Sequence, residues 1–133
     1  MGSLTATGVP AATEPAVRGE PGRVLGLVGS ELMVRSRVSV VAAPLGWTLR
    51  EVRTPAEAQG LDLLLVDLNR EERPRLALLE QLHTELPELA TICFGAHLEA
   101  GSWAREARRH GALCCANSSL ARVLLRQLSP GAI

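Results

Sequence analysis

The side chain best placed for chemistry is the carboxylate of Asp67, which ends the apolar run that begins at Leu63. A run this short and this apolar is typical of a strand buried on both faces, as in a parallel sheet covered by helices. Ligands of such sheets bind in the crevice at the carboxyl ends of the strands. Asp67 would lie in that crevice. Its carboxylate would either take part in chemistry there or cap the next loop or helix as a polar strand end.

His97 is a second candidate, because it follows the next strand-like apolar stretch along the chain. It could face Asp67 across the crevice, where a nearby carboxylate would raise the pKa of the histidine and make it an acid, a base or a metal ligand. No nucleophile and no third orienting group is evident, and a loop histidine facing solvent is the alternative. Ser30, Glu31 and Ser118 are further polar residues expected at the crevice.

The residue inventory excludes several kinds of site. All fourteen Lys and Arg residues are arginines, and Asp62 and Asp67 are the only aspartates. Without lysine there is no phosphate-binding loop of the lysine-containing kind, and the glycines near Gly29 lack the third glycine of a dinucleotide fingerprint. Backbone N–H groups after Ser30 are the one phosphate site left open. We expect no cofactor, no metal site and no enzyme activity.

Three cysteines occupy positions 93, 114 and 115. An odd number with one adjacent pair is not the pattern of a secreted disulfide framework. Cys114 and Cys115, as neighbours on a strand, would point to opposite faces and would not easily share a metal. We expect all three to be small buried residues, with Cys93 near the other two in the core.

Composition indicates one ordinary soluble domain. The chain has 133 residues, is 47% hydrophobic and has a formal net charge of zero. This length and apolar content can build a core, and the lack of a basic block argues against nucleic acid as a partner. No apolar run approaches the roughly 20 residues of a membrane span, and the first residues do not have the order of a secretory signal. We expect a cytoplasmic protein that binds neither nucleic acid nor membrane.

Apolar patterning predicts five strands that alternate with five helices. This alternation indicates a parallel sheet with helices on both faces, and five strands fit the flavodoxin-like, doubly wound order 2-1-3-4-5. We expect a disordered tail over 1–22, an α/β domain over 23–129 and a short C-terminal tail over 130–133. The predicted strands are 24–28, 47–52, 61–67, 89–94 and 113–116. The first three predicted helices begin after a cap at Ser30, with a capping box at Thr54, and at Arg73. The last two predicted helices span 99–110 and 120–128.

Five strand–helix units with an aspartate ending the third strand resemble the receiver domain of bacterial two-component response regulators. The resemblance covers residues 23–128. Asp67 falls where the phospho-accepting aspartate of that family falls, and Gly111 and Ala112 precede the fifth strand as the family's Gly-Ala pair does. The resemblance implies a role in phosphorelay signal transduction and makes Asp67 a candidate phospho-acceptor.

The resemblance also implies a magnesium site that this sequence does not provide. Phosphoryl transfer to a carboxylate uses Mg²⁺ to neutralise the transferring group. Receivers bind that ion with an acidic pair at the end of the first strand, where this chain has Gly29 and Ser30, with Glu31 beyond them.

Other functional residues of receivers are also replaced in this chain. Ser118 stands where the family has its phosphoryl-binding lysine, Gly95 where it has its switch hydroxyl, and Cys115 where it has its switch aromatic. The resemblance therefore implies a degenerate receiver, or pseudo-receiver, in which Asp67 is not phosphorylated by the usual Mg²⁺-dependent mechanism.

The last two predicted helices carry a candidate interaction face. In receivers this face commonly mediates dimers or partner binding, and a tryptophan flanked by arginines is typical of an interface hot spot. The alternative is that the tryptophan packs into the core and the arginines are solvated; the first helix, with Met33, is another docking face. The interaction-face candidates are Trp103, Arg105, Arg109 and Arg122.

Three hypotheses follow. The first is a stand-alone receiver-like domain that acts through contact with another protein or with a second copy of itself. The second is a response regulator still phosphorylated on Asp67. The third is a small flavodoxin-like enzyme or ligand-binding domain that uses Asp67 and His97. Only five residues follow Leu128, so we expect no effector domain there.

Overall fold

The structure is a computed structural model that describes residues 22–96 and 101–130. Within those residues, parallel strands alternate with helices or helical turns, as the apolar patterning predicts. The strands are β1 Arg23–Val28, β2 Trp47–Glu51, β3 Leu63–Asp67, β4 Thr91–Gly95 and β5 Leu113–Ala116, and the helices are α1 Leu32–Ala42, α2 Glu72–Glu85, α3 Ser102–Arg109 and α4 Leu120–Leu128.

The strands form one parallel sheet in the order β2-β1-β3-β4-β5. This is the flavodoxin-like order expected from the sequence, with β3 in the centre and β2 at an edge. All five residues of β3 are buried, which explains its unbroken apolar run. The register places Asp67 directly opposite Phe94, so the carboxyl ends of β3 and β4 meet at one edge.

Two hydrophobic cores lie on opposite faces of the sheet, because successive residues of a strand point to opposite sides. Leu64 and Val66 pack with α2 and α3 on one face. Leu63 and Leu65 pack with α1 and α4 on the other. The prediction of helices on both faces is therefore confirmed.

The second predicted helix is instead a single turn of 3-10 helix, Pro55–Ala58. The capping box that suggested it is present, since Glu57 Oε1 accepts the main-chain N–H of Thr54 at 3.2 Å. Gln59 already has extended backbone angles, and Gly60 follows at a φ of +81°. The four helical residues Pro55–Ala58 are too few for a stable α-helix.

The start of α1 also differs from the prediction. Ser30 was expected to cap this helix, but Glu31 occupies the N-cap position and no side chain caps it with a hydrogen bond. The start predicted for the fourth helix at residue 99, most of the predicted N-terminal tail and the last three residues of the C-terminal tail lie outside the described residues. In the described part of the chain, no helix is long and apolar enough to cross a membrane.

Candidate functional site

Asp67 lies at the carboxyl end of β3 and is buried, with 1% of its surface exposed. Its Oδ1 accepts two hydrogen bonds from Asn69, one from the main-chain N–H at 2.9 Å and one from the side-chain Nδ2 at 2.7 Å. The carboxylate thus holds the loop that follows the strand. This is the structural role that the sequence left open for Asp67 as a polar strand end.

Arg75 brings a positive charge to the same residue from the first turn of α2. Its Nη1 donates a hydrogen bond to the main-chain oxygen of Asp67 at 2.7 Å and lies 3.9 Å from Oδ2 of that residue. The Arg75 side chain is only 10% exposed, so water screens this charge weakly. Its Nη2 also lies 3.6 Å from Glu71. A buried carboxylate requires such a partner, because an unpaired charge is costly to bury.

The backbone turn that aims Arg75 at Asp67 is unusual. Glu71, just before α2, has a φ of +54°, the one positive value at a non-glycine position in the described residues. Its main-chain oxygen accepts the N–H of Arg75 at 3.1 Å. The left-handed residue turns the chain sharply out of the loop, so that the helix begins with Arg75 facing the end of β3.

Asn69 and Asn117 form a reciprocal pair of amide hydrogen bonds across the crevice. Asn69 Nδ2 donates to Asn117 Oδ1 at 2.9 Å, and Asn117 Nδ2 donates to Asn69 Oδ1 at 2.8 Å. Asn69 Oδ1 also accepts the main-chain N–H of Ala96 at 3.0 Å. Neutral side chains therefore connect the loops that follow β3, β4 and β5.

Gly29 lies so close to Asp67 that a side chain at this position would be crowded. A Cβ atom built on Gly29 would lie 3.0 Å from Cβ of Asp67, and the φ of Gly29 is +152°. Any other residue there would need a strained backbone as well as displacement of its neighbour. An acidic side chain at position 29 would therefore strain the backbone and displace Asp67.

A cavity of about 210 Å³ opens at the carboxyl ends of β3 and β4, between the start of α1 and the turn after β5. Glu31 lies at this cavity and forms an ion pair with Arg70, at 2.9 Å between Oε2 and Nη1. The polar residues that line the cavity are Glu31, Arg37, Asp67, Asn69, Arg70 and Asn117.

The donor set does not fit the Mg²⁺ ion that receivers use. Both carboxylates of the cavity, those of Glu31 and Asp67, already have an arginine beside them. Among residues 22–96 and 101–130, no three His, Cys, Asp or Glu side chains come together as a potential metal site. A hard cation needs several free oxygen ligands, which this site does not offer.

The structure brings together only part of the crevice predicted from sequence. Asp67 and Glu31 line the same cavity. Ser30 lines a different cavity, of about 300 Å³, between β2 and α2. Ser118 is exposed, and its neighbour Asn117 reaches the crevice instead. His97 lies outside the described residues.

Three residues at the site were missed by the sequence analysis: Asn69, Arg75 and Asn117. Asn69 lies two residues beyond Asp67, and this spacing, typical of a carboxylate that binds a following main-chain N–H, was the available signal. Arg75 and Asn117 reach Asp67 and Asn69 through the fold. No local pattern distinguishes them from other arginines or turn residues.

At the predicted interaction face, the structure agrees with the alternative in which Trp103 packs inward and the arginines are solvated. Trp103 is half-buried, packs against the core under α2 and α3, and has the guanidinium of Arg73 5.7 Å from its ring centre. Arg105 and Arg109 are exposed, and the helical rotation of about 100° per residue turns them away from Trp103. Arg122 is exposed on α4, where it donates a hydrogen bond to Ser119 at 3.3 Å.

Exposed apolar side chains occur on β5 and α4. Leu113 on β5 is 50% exposed, and Leu125 on α4 is 54% exposed. Leu113 lies two residues before Cys115, which packs on the α1 and α4 face of the sheet, so its side chain points to the same face. Leu113 and Leu125 are the apolar candidates on this surface, rather than Trp103.

No family model matches the chain, and no curated protein sequence matches it. Solved structures do match. The chain is similar to a response regulator from Thermotoga maritima, with a TM-score of 0.64 and 15% identity, over 81% of this chain and 95% of that one. It is similar to a CheY-like receiver domain protein from Methanospirillum hungatei JF-1, with a TM-score of 0.65, 16% identity and coverage of 81% and 91%.

A third solved structure is a CheY-like protein (tadZ) from Pseudomonas aeruginosa PAO1. Its TM-score is 0.66 at 17% identity, over 81% of this chain and the whole of that one. The chain therefore has the fold of response regulator receiver domains. At these identities the similarity shows the fold alone.

Proposed function

We propose that this chain is a receiver-like signalling domain of the two-component type that acts through contact with another protein. In this proposal Asp67 is not phosphorylated by the Mg²⁺-dependent mechanism, the protein is not an enzyme, and it works in the cytoplasm. The fold supports the signalling class, and the surroundings of Asp67 support the departure from phosphoryl transfer.

The observation that carries the proposal is the pairing of Asp67 with Arg75. The Arg75 guanidinium supplies positive charge beside the carboxylate, and the Oδ1 atom is engaged twice by Asn69. A phosphoryl acceptor must present an oxygen to an incoming group together with a metal ion that bridges both. With 1% of its surface exposed, Asp67 presents its oxygens to protein groups instead.

The environment of Gly29 supports the same conclusion. An acidic residue at this end of β1 would be needed to hold the metal in the manner of receivers, and a side chain at position 29 would crowd Asp67 and strain the backbone. The neutral amide pair of Asn69 and Asn117 occupies the side of the crevice where receivers have a lysine. No charged group from β5 is positioned there to bind a phosphoryl oxygen.

Contact with a partner is proposed to use the surface around α3, β5 and α4. Leu113 and Leu125 supply exposed apolar area on this surface. The exposed arginines Arg105, Arg109 and Arg122 supply positive charge around it. An apolar centre with a charged rim is the usual arrangement of a protein interface. We propose another protein, or a second copy of this chain, as the partner, and neither nucleic acid nor membrane.

The proposal is tested by incubating the protein with acetyl phosphate and Mg²⁺ and measuring the intact mass. We expect no gain of a phosphoryl group, while a receiver with a complete acidic site gains one under the same conditions. Asp62→Asn is the matched control, because Asp62 is the only other aspartate and its carboxylate binds the main-chain N–H of Val24 at the opposite end of the sheet.

A labile phosphoryl adduct on Asp67 would overturn the proposal. That adduct must be retained in Asp62→Asn and absent from Asp67→Asn. The result would favour the second hypothesis, a response regulator still phosphorylated on Asp67, with Arg37 and Arg70 of the cavity as the groups left to bind the phosphoryl oxygens. Release of a small molecule from purified protein after changing Asp67 or His97 would favour the third hypothesis.

A further inference from the structure

Two cysteine side chains lie against each other on neighbouring strands. Cys93 of β4 stands directly opposite Cys114 of β5 in the parallel register. Both pack on the sheet face that α2 and α3 cover, whereas Cys115 packs on the other face. The expectation that Cys93 lies near the other cysteines is confirmed for Cys114.

Their paired positions on one face of the sheet place the two thiols side by side. The Cys114 thiol donates a hydrogen bond to the main-chain oxygen of Ala104 in α3, at 3.7 Å. Cys93 is fully buried and Cys114 is partly exposed. A reagent from solvent therefore meets Cys114 before Cys93.

The surroundings favour the thiolate of Cys114. The hydrogen bond from Cys93 outweighs partial burial and, together with the charge of Arg108, lowers the pKa of Cys114 to about 7. The same hydrogen bond and its burial raise the pKa of Cys93. The thiolate is the nucleophilic form of cysteine, so the accessible member of the pair is also the reactive one.

We propose that Cys114 and Cys93 form a reactive dithiol site, in which a small hydroperoxide oxidises Cys114 and Cys93 then closes a disulfide between β4 and β5. A small oxidant fits because Cys114 is only partly exposed. This proposal does not depend on the signalling function.

The chemistry balances with hydrogen peroxide as the oxidant. The Cys114 thiolate attacks one peroxide oxygen, the O–O bond breaks, and the second oxygen leaves as hydroxide, which is protonated to water. Cys114 is thereby oxidised to a sulfenic acid. The Cys93 sulfur then attacks the Cys114 sulfur, and the S–O bond breaks. The departing hydroxide takes the proton of Cys93, which forms a second water. Two thiols and one peroxide yield one disulfide and two waters.

The strand geometry allows this bond to close without unfolding. Neighbouring strands of a sheet lie about 4.8 Å apart. This separation is within the Cα range of about 4.4–6.8 Å that disulfides adopt. The bond would covalently attach the edge strand β5 to β4 and enclose α3 in a loop between Cys93 and Cys114.

The test is to treat the folded protein with a small excess of hydrogen peroxide and to map its peptides without reduction. We expect one cross-linked peptide pair, joining Cys93 to Cys114, and a reaction at Cys114 on the order of tenfold faster than at Cys115 near neutral pH. A Cys93–Cys114 link that appears only after a denaturant is added would overturn the proposal, as would equal rates at all three thiols.

Three alanine variants separate the roles of the cysteines. Cys115→Ala should behave as the unchanged protein, because its side chain lies on the opposite face. Cys93→Ala should stop at a sulfenic acid on Cys114 that dimedone traps, and Cys114→Ala should give neither adduct nor disulfide. A disulfide that still forms in Cys114→Ala at the unchanged rate would contradict the assignment of Cys114 as the first site of attack. The peptide map of the unchanged protein decides the case even if a variant does not fold.

Discussion

Arg75 contacts Asp67 through a single nitrogen, which donates a hydrogen bond to the main-chain oxygen at 2.7 Å and lies 3.9 Å from the carboxylate. A guanidinium from α2 thus stands beside the one buried charged residue of the described core. The pair links the end of the central strand to the helix that follows it, and it makes Asp67 part of the framework of the fold.

The first prediction concerns this pair. We expect Arg75→Ala to lower the free energy of unfolding by about 2 kcal/mol, because it leaves the Asp67 carboxylate buried without a cation. Urea denaturation followed by circular dichroism measures the change. Arg70→Ala is the control, since the Arg70 side chain is 61% exposed and its ion pair with Glu31 should contribute less than about 1 kcal/mol.

A double variant adds a sharper test of the same pair. Asp67→Asn removes the charge that Arg75 neutralises, so the cost of Arg75→Ala should be smaller in that background. Equal costs in both backgrounds would mean that Arg75 stabilises the protein only through the main-chain oxygen.

The second prediction concerns the space in front of Asp67. We expect Gly29→Ala to destabilise the fold by about 2 kcal/mol, because the new Cβ would combine a positive φ with a 3.0 Å approach to Asp67. Gly46→Ala is the matched control, since Gly46 also has a positive φ, +87°, but a Cβ there meets no atom within 4 Å. If both variants lose the same stability, crowding against Asp67 is not the cause.

The third prediction concerns the amide pair across the crevice. Asn69→Ala and Asn117→Ala should each destabilise the fold, and their combined effect should be less than the sum by about 1 kcal/mol, because each single change already breaks both hydrogen bonds of the pair. A double-mutant cycle from urea denaturation gives this coupling energy. Strict additivity would show that the two amides act independently.

The fourth prediction is a pH dependence that arises from the thiol pair. Because the pKa of Cys114 is lowered to about 7, the folded chain holds fewer protons than the unfolded chain between about pH 7 and the ordinary thiol range near 8.5. The free energy of unfolding should therefore rise with pH across that window. Above this window, Cys93 keeps its proton in the folded chain but loses it in the unfolded chain, because folding raises its pKa. The free energy of unfolding should therefore fall again.

Urea denaturation at a series of pH values would locate this maximum near pH 8.5. Cys93→Ala removes the hydrogen-bond donor and should flatten the rise below the maximum, whereas Cys115→Ala should retain it. A rise of the same size in Cys93→Ala would assign the pH dependence to another group.

The fifth prediction concerns the proposed partner surface. If the chain associates with itself through α3, β5 and α4, Leu125→Glu should shift it to the monomer in sedimentation velocity at fixed concentration, because it puts a charge at an apolar contact. Leu32→Glu is the matched control, since Leu32 is 78% exposed on α1. Trp103→Ala should not change association, because Trp103 packs inward. A monomer in every case would reject self-association through this surface.

Sequence patterns were sufficient to predict the architecture, because the fold follows from local periodicity and strand burial. The apolar run that ends at Asp67 could only be a buried central strand, and the alternation of strands with helices left one common sheet order. The capping box at Thr54 was identified correctly, but Gly60 follows too soon for an α-helix. Local signals at the start of an element do not specify its length.

The partners of Asp67 could not be predicted in the same way. Arg75 is one of fourteen arginines, and only the left-handed turn at Glu71 directs it to the end of β3. Asn117 was overlooked in favour of Ser118, because both lie in the helical turn after β5 and the sequence does not show which of them reaches Asn69. Trp103 could be either a surface anchor or a core residue from sequence, since sequence alone does not tell which face of a helix meets its neighbour.

The two tryptophans lie on opposite sides of the sheet, and the chain contains no tyrosine. Trp47 is buried in the core beneath α1 and α4, where its Nε1 donates to the main-chain oxygen of Leu128 at 3.1 Å. Trp103 packs against the other core, beneath α2 and α3. Intrinsic fluorescence therefore offers one reporter for each half of the molecule. Trp47→Phe and Trp103→Phe would show by emission alone whether the two halves melt together or in sequence.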